Sequence, residues 1–221
     1  GKRALVCMKH VGMNVAADPF VNSAMTGVNG GLVIVAADDP SMHSSQNEQD
    51  SRFYGKFAMM PIFEPSSQQE AYEMTRAAFE LSEAVKLPVL MRVTTRMAHS
   101  RAVVEVTETP RKQNDINRPE DVRTWILLPA FAKRRYVQLL EQQNDLMKAS
   151  LESKYNFYRK GTKPERAVLT TGIAYNYYME NCANCEERSV LKVSQYPLPV
   201  ALIEKMVEDG AKEILVMEEG Q

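Results

Sequence analysis

Short apolar runs alternate with helical patterns along the first half of the chain. The clearest runs are Ala4 to Met8, Leu32 to Ala36 and Leu87 to Val93. Continuous apolar runs that are separated by helices are typical of buried parallel strands. The pattern along residues 1–106 therefore predicts a β-α-β unit, a long polar loop and then an α-β unit.

Two predicted helices of this half carry start signals. Asn14 is a candidate N-cap for a helix that runs to Met25, because its side chain can accept a hydrogen bond from a free amide of the first turn. Ser66 or Ser67 is the candidate N-cap of the next helix. Glu70 follows Ser67 by three residues, and this spacing predicts a capping box.

The second half begins with a change of composition. The segment from Thr107 to Asp115 has almost no apolar content, as in a linker, and one helix is predicted from Pro129 to Lys154. Strands are then predicted at 167–170, 190–193 and 214–217, with helices at 173–181 and 200–207. The predicted fold class is α/β: two modules with mostly parallel sheets, at 1–106 and 165–221, joined by a helical linker at 107–164.

Composition and charge narrow the class of protein. Lys and Arg number 27 against 28 Asp and Glu, a net charge of -1, which favours neither nucleic acid nor an anionic membrane as partner. No apolar run reaches the ~18 residues of a membrane span, and no secretory signal opens the chain. We therefore expect a soluble, cytoplasmic protein. Because a predicted strand lies close to each end of the chain, we also expect it to be a fragment of a longer protein.

All three histidines follow predicted strands of the first module. His10 and His43 come after the first and second strands, and His99 comes after the third. Parallel strands share their carboxyl edge, and ligands of open α/β sheets bind beyond that edge. Lys9 accompanies His10, and Arg96 accompanies His99. The order of strands therefore predicts a polar site at this edge, while ordinary surface histidines in polar loops remain the alternative.

The fifteen-residue loop from Asp38 to Arg52 is the longest candidate segment for function. Arg52 can bind a carboxylate or phosphate through two hydrogen bonds, or it can form an ion pair with Glu48 or Asp50. Adjacent His43 and Ser44 do not by themselves make a hydrolase triad. The loop acids lack the spacing of a calcium site, so we predict no metal site there.

The cysteines carry a weaker signal. Cys182 and Cys185 form a C-x-x-C motif, and Cys7 is the remaining cysteine. Redox or metal chemistry uses this spacing, but no second motif completes a four-cysteine cluster. Free thiols at a helix end are the favoured interpretation. The absence of glycine-rich dinucleotide and P-loop motifs argues against those two nucleotide sites.

Longer stretches resemble a known family. MKHVGMNVAADPF, GGLVIVAADDPSMHSSQNEQDSRFYGKFAMMPIFEP and LPVLMRVTTRMAHSRAVVEV resemble the alpha subunits of indolepyruvate ferredoxin oxidoreductases, which are thiamine diphosphate enzymes. TTGIAYNYYMEN, QYPLPVALIEKM and ILVMEEG resemble them more loosely. The resemblance implies most of a pyrimidine-binding domain in residues 1–106 and a truncated transketolase C-terminal-like domain in residues 165–221.

This resemblance implies an activity for the complete enzyme. The family converts aryl 2-oxoacids such as indolepyruvate, with coenzyme A, to acyl-CoA and carbon dioxide, and it reduces ferredoxin. Its cofactors are thiamine diphosphate with magnesium and iron-sulfur clusters, and its partner is a beta subunit of the same oxidoreductase. In these enzymes the thiamine cofactor supplies the reactive carbanion and the electron sink.

The resemblance also implies site residues. Arg52 aligns with the arginine that holds the substrate carboxylate in related enzymes. The other residues expected to bind substrate in the same cleft are His43, Ser44, Ser45, Gln46 and Asn47. The residues expected near the cofactor are Lys9, His10 and Asn14.

No catalytic residue is expected within this segment. The family's cofactor-activating glutamate belongs to a motif before the first strand, and the diphosphate domain and the cluster-bearing tail also lie outside the chain. We therefore expect the isolated chain to be inactive and to bind no thiamine diphosphate. Apolar surface at cut domain edges favours self-association. The alternative function is a non-catalytic α/β binding or scaffold module that recognises a small anion or a protein.

Overall fold

The computed structural model describes residues 1–107, 110 and 113–220. Its strands, numbered along the chain, are β1 (Ala4–Lys9), β2 (Leu32–Asp38), β3 (Ile62–Phe63), β4 (Val89–Thr94), β5 (Phe157–Arg159), β6 (Arg166–Thr171), β7 (Ser189–Val193), β8 (Gln195–Tyr196) and β9 (Glu213–Met217). Its α-helices are α1 (His10–Val15), α2 (Ala17–Thr26), α3 (Ser51–Phe57), α4 (Gln68–Val85), α5 (Thr95–His99), α6 (Pro129–Leu151), α7 (Ala174–Asn181) and α8 (Val200–Glu208).

The strands form two mostly parallel sheets. The first has the order β1-β2-β4-β3-β8 and the second has the order β5-β7-β6-β9. Within the first sheet β1, β2, β4 and β3 run parallel, and β8 is antiparallel. In the second, β7, β6 and β9 run parallel, and β5 is antiparallel. The α/β fold class with mostly parallel sheets is confirmed.

Helices cover both faces of the first sheet. On one face Ile34 and Leu90 pack with Phe20 of α2 and Leu146 of α6. On the other face Val33, Val89 and Met91 pack with Met74 and Ala78 of α4. This three-layer core explains why β2 and β4 are mainly apolar, because both of their faces are buried.

The predicted start of the first helix, with Asn14 as its N-cap, is wrong. Two helices, α1 and α2, replace it, with a break at Ala16, and Asn14 lies inside α1. Asn14 is therefore not an N-cap, and its side-chain oxygen accepts a hydrogen bond from the Tyr54 hydroxyl. The chain instead enters α1 directly from β1 at His10.

At the start of α4 the predicted N-cap is confirmed, but the predicted partner of Glu70 is not. Ser67 is the N-cap, and its hydroxyl accepts a hydrogen bond from the Glu70 amide at 3.2 Å. The Glu70 carboxylate, however, accepts hydrogen bonds from the amide and hydroxyl of Ser66 at 2.6 and 2.7 Å. The reciprocal bond of a capping box therefore falls one residue earlier than predicted.

The predicted linker contains a helix that belongs to the core. Leu139 and Leu146 of α6 are buried in the core of the first module. Arg135 donates hydrogen bonds to the carbonyls of Met25 and Thr26 at 3.0 and 2.9 Å, which satisfies the free carbonyl end of α2. Within the predicted polar segment, residues 108–109 and 111–112 lie outside the described residues.

The two modules share a strand that the sequence pattern did not reveal. β8 follows the second sheet's β7 but pairs with β3 of the first sheet, with Ile62 opposite Tyr196. Asn156 fixes this crossing: its side-chain oxygen accepts from the amides of Ser194 and Gln195 at 2.7 and 2.9 Å. The boundary between the modules is therefore a continuous hydrogen-bonded junction.

The surface shows two further features. Edge strands β1 and β9 expose apolar side chains, such as Leu5 at 46% and Val216 at 53%. Among the helices of the described residues, none combines the length and apolar character needed to cross a membrane.

The expectation of free thiols is wrong for the C-x-x-C motif. Cys182 and Cys185 form a disulfide, while Cys7 is a free, exposed cysteine. The turn after α7 brings their Cα atoms to 5.2 Å, a separation that suits a disulfide.

Candidate functional site

The carboxyl ends of both sheets contribute to one junction. Asp38 ends β2, and Thr171 ends β6 of the other sheet. Glu218 directly follows β9, and Arg52 lies in the first turn of α3. Arg52 Nη1 is 3.3 Å from Thr171 Oγ1 and 2.8 Å from Glu218 Oε2. Side chains that are more than a hundred residues apart in sequence therefore meet at this edge.

Arg92 is the buried centre of this junction. It lies inside β4 with its side chain fully buried. Its Nε is 2.5 Å from Asp38 Oδ2 and 3.4 Å from Asp50 Oδ1, and its Nη1 donates to Glu64. Burial alone would lower the pKa of Arg92, but the charges of the surrounding carboxylates, that of Glu64 first, outweigh burial and raise it. Arg92 is therefore held as a cation.

Arg52 lies beside this centre and is more accessible. Its Nε is 2.9 and 2.8 Å from the two carboxylate oxygens of Asp50. Its Nη1 is 3.7 Å from Glu64 Oε2 and 3.4 Å from the Tyr196 hydroxyl. Burial lowers the pKa of Arg52, but the hydrogen bond to Asp50 and the charge of Glu64 outweigh it and raise the pKa.

Asp50 is fixed by the same contacts. Its side chain caps α3 by accepting from the Arg52 amide at 2.9 Å. Burial would raise the pKa of Asp50, but the hydrogen bond from Arg52 and the charges of Arg92 and Arg52 outweigh burial and lower it. The sequence left Glu48 and Asp50 open as ion-pair partners of Arg52, and Asp50 is the one observed.

Arg52 and its partner Asp50 line a cavity of about 670 Å³ between the two modules. Side chains from both modules make its apolar wall: Phe53, Met59, Ile62, Met147, Leu169 and Val216. Lys56 and Glu218 also line it. A cavity with an apolar wall and a few convergent polar groups is the usual form of a small-molecule site.

One of the predicted loop residues, His43, lines a different cavity. His43 and His99 line a pocket of about 360 Å³ together with Arg96 and Glu219. Of the described residues, none from 43 to 47 lines the cavity that contains Arg52. The expectation that all of these residues line one cleft with Arg52 is therefore not met in this structure.

Asp39 holds this loop in place. Its carboxylate accepts from the Ser44 amide at 2.8 Å, the Ser45 hydroxyl at 2.5 Å and the Thr95 hydroxyl at 2.6 Å. The hydrogen bond from Ser45, followed by that from Thr95, holds the pKa of Asp39 far below its usual range. Gln46 and Asn47 are exposed on the same loop.

The residues that the resemblance places near a cofactor are engaged within the chain. Lys9 Nζ donates to the carbonyl and hydroxyl oxygens of Ser44, both at 3.0 Å. His10 is fully buried, with its ring nitrogens 3.4 Å from the Ala37 carbonyl and 3.1 Å from the Asn47 carbonyl. Asn14 is bonded to Tyr54. Each of the three predicted residues therefore has a hydrogen-bond partner within the chain.

Sequence reasoning missed five members of the junction. The residues not predicted as site residues are Glu64, Arg92, Thr171, Tyr196 and Glu218. Arg92 carried a usable signal, since it is a lone charge within the apolar run LPVLMRV, and a buried charge needs a partner. Glu218 carried no such signal, because an acidic residue after a strand is common. Among the described residues, no group of three or more metal-binding side chains is suitably placed to hold a metal ion.

The fold is shared with two solved enzyme structures. The 2-oxoglutarate:ferredoxin oxidoreductase from Magnetococcus marinus matches with a TM-score of 0.67 at 14% identity, over 98% of this chain and 46% of that one. Transketolase from Campylobacter jejuni matches with a TM-score of 0.53 at 9% identity, over 97% of this chain and 28% of that one. The chain therefore has the α/β architecture found within these enzymes.

Sequence relatives are more specific. The indolepyruvate oxidoreductase subunits IorA of Methanothermobacter thermautotrophicus and Archaeoglobus fulgidus are each 42% identical over 99% of this chain. The corresponding subunit of Thermococcus kodakarensis is 40% identical. The chain spans about a third of the length of these relatives, 35 to 36%. No protein-family model matches the chain. The chain is thus similar, along nearly its whole length, to part of an IorA subunit.

Proposed function

We propose that this chain is the substrate-binding part of a 2-oxoacid oxidoreductase subunit that acts on aryl 2-oxoacids such as indolepyruvate. The observation that carries the proposal is that Arg52 lines a mainly apolar cavity of about 670 Å³. An aryl 2-oxoacid has a carboxylate at one end and an apolar ring at the other. Its two ends match the two parts of this cavity.

Arg52 would bind the carboxylate of the substrate. A guanidinium forms charge-assisted hydrogen bonds to a carboxylate, and its planar shape also fixes the orientation of the acid. Asp50 holds the Nε side of Arg52, and Nη1 contacts Glu218, which also lines the cavity. The aryl ring would lie against Phe53, Met59 and Leu169, where burial of apolar area contributes to binding.

The complete enzyme would need groups beyond these residues. We propose for it the reaction implied by the resemblance: 2-oxoacid and coenzyme A give acyl-CoA and carbon dioxide, with transfer of two electrons to ferredoxin. Thiamine diphosphate with magnesium, iron-sulfur clusters and a beta subunit are part of that proposal, as is a cytoplasmic location. The placement of Lys9, His10 and Asn14 near the cofactor is likewise a part of the proposal, and the experiment below addresses substrate binding alone.

The test is Arg52→Ala in the complete subunit, assembled with its partner and assayed on indolepyruvate. Charge-assisted hydrogen bonds contribute about 1.5–3 kcal/mol, so we expect KM to rise roughly 10- to 100-fold. Arg52→Lys keeps the charge without the planar fork and should have an intermediate KM. Arg166→Ala is the control, since Arg166 forms an exposed pair with Glu213 away from the cavity.

Unchanged kinetics of the Arg52→Ala variant would contradict the proposal. If Arg52→Ala leaves KM and kcat at the values of the parent enzyme, Arg52 does not bind the substrate. The substrate carboxylate would then be bound elsewhere, and the alternative of a non-catalytic binding or scaffold module would be favoured for this chain. Native-like circular dichroism of each variant excludes unfolding as the cause of any change.

A further inference from the structure

Glu218 is the most accessible carboxylate that contacts Arg52. Its Oε2 is 2.8 Å from Arg52 Nη1, and its side chain is 35% exposed. The other acidic partners of Arg52 are more deeply buried, with Asp50 at 1% and Glu64 at 4%. Of the three, Glu218 can therefore leave Arg52 with the smallest loss of packing and the easiest return to water.

The backbone beyond β9 brings Glu218 over the junction. The Glu219 carbonyl accepts a hydrogen bond from Arg92 Nη2 at 2.6 Å. A Cβ atom added to Gly220 would lie 2.8 Å from Arg92 Nη2 and 3.5 Å from Arg52 Nη2. The segment 218–220 thus runs directly across both guanidinium groups, and it comes from the second module while both arginines come from the first.

Acidic groups outnumber the guanidinium groups at the junction. Two guanidinium groups, those of Arg52 and Arg92, face four carboxyl groups among the described residues: Asp38, Asp50, Glu64 and Glu218. A fifth carboxylate added to this cluster would meet like charges at short range, which is unfavourable in a partly buried site. A carboxylate ligand can therefore bind to Arg52 with least repulsion by replacing an acid that is already there.

We propose that Glu218 occupies the place of the substrate carboxylate on Arg52 and must turn toward solvent before a 2-oxoacid binds. This inference rests on the proposed function and adds a positioning residue to it. Glu218 acts through Arg52, as an internal competitor that excludes weakly bound anions. A 2-oxoacid displaces it because its aryl ring also binds the apolar wall, whereas small acids such as acetate lack that additional contact.

The competition predicts a specific kinetic effect. Replacing Glu218 with Gln removes the competing charge and keeps the size of the side chain. Exposed and half-exposed ion pairs contribute up to about 1 kcal/mol, so we expect the KM for indolepyruvate to fall about three- to five-fold. The turnover number should stay the same, because Glu218 has left Arg52 before the reaction begins. Glu218→Asp keeps the charge and should have a KM close to that of the parent enzyme.

The experiment uses the complete subunit assembled with its partner. KM and kcat are measured for indolepyruvate, and the Kd of phenyllactate, a 2-hydroxy acid that lacks the reactive ketone, is measured by calorimetry. Glu213→Gln is the matched control, since Glu213 lies on β9 but pairs with the exposed Arg166. We expect Glu218→Gln alone to lower both KM and Kd.

Two outcomes separate this inference from the proposed function. If Arg52→Ala raises KM but Glu218→Gln leaves KM and the phenyllactate Kd unchanged or raises them, the competitor role is wrong and the substrate-binding role of Arg52 stands. If Arg52→Ala has no effect on KM, the proposed function fails first. In the Arg52→Ala background, Glu218→Gln should have no further effect on KM, and a remaining three-fold decrease would overturn the inference.

Discussion

Arg92 provides a quantitative test of the buried junction, through the substitution Arg92→Met. Methionine fills a similar volume but removes the cation that Asp38 and Glu64 contact in the interior. Breaking a buried ion pair by removing one partner typically costs 3–5 kcal/mol, so we expect about that loss of stability. Since 1.4 kcal/mol is a factor of ten, the equilibrium for opening the β2–β4 ladder should rise roughly 10²- to more than 10³-fold.

Hydrogen–deuterium exchange of the complete subunit measures this change directly. The amides of β2 and β4, which pair from Val33 with Val89 to Asp38 with Thr94, should exchange faster by that factor when exchange is limited by the opening equilibrium. Arg166→Met is the control, because its exposed ion pair should contribute less than about 1 kcal/mol. Protection of the ladder that stays within three-fold of the parent would refute the assignment of Arg92 as the stabilising centre.

Two further predictions concern the core and the pH dependence. Leu146→Ala on α6 should destabilise the protein by about 2–5 kcal/mol, because the Leu146 side chain is fully buried. Leu140 lies on the same helix but is 46% exposed, so Leu140→Ala should cost far less. Equal shifts of the melting temperature in the two variants would show that α6 is not part of the core. The pKa of Asp50 lies below its ordinary value near 3.8, so its contribution to stability is complete above that pH and is lost as the pH falls through the lower folded-state pKa. Acid denaturation of Asp50→Asn should therefore show a weaker dependence on pH in this range than the parent, and an identical pH profile would contradict the shift.

The disulfide and Asn14 show one limit of sequence reasoning. Spacing alone allowed Cys182 and Cys185 to be thiols, metal ligands or a disulfide, and only the turn after α7 sets their Cα atoms 5.2 Å apart. For Asn14, the local signal was sound, but α1 begins earlier, at His10, so Asn14 lies inside the helix and its side chain contacts the distant Tyr54. In both cases a contact formed by the fold decided between roles that the local sequence left open.

The short strands mark a further limit. β3 and β8 have two residues each and β5 has three, so none is long enough to show a hydrophobic period. β8 becomes a strand because β3 presents a free edge and because Asn156 holds the amides of Ser194 and Gln195. Strand formation of this kind depends on a partner that comes from the other module.

The amino-acid sequence by itself determined the longer strands and helices, their order and the α/β class, because burial on both faces of a sheet requires long apolar runs that can be read locally. It also determined which segment carries Arg52. Only the tertiary structure decided that Arg52 meets Glu218 and lines an apolar cavity, and that the histidine-bearing loop lines another pocket. The physical reason is that ion pairs and cavities depend on distances between residues far apart in the chain, which a local pattern of apolar and polar positions does not contain.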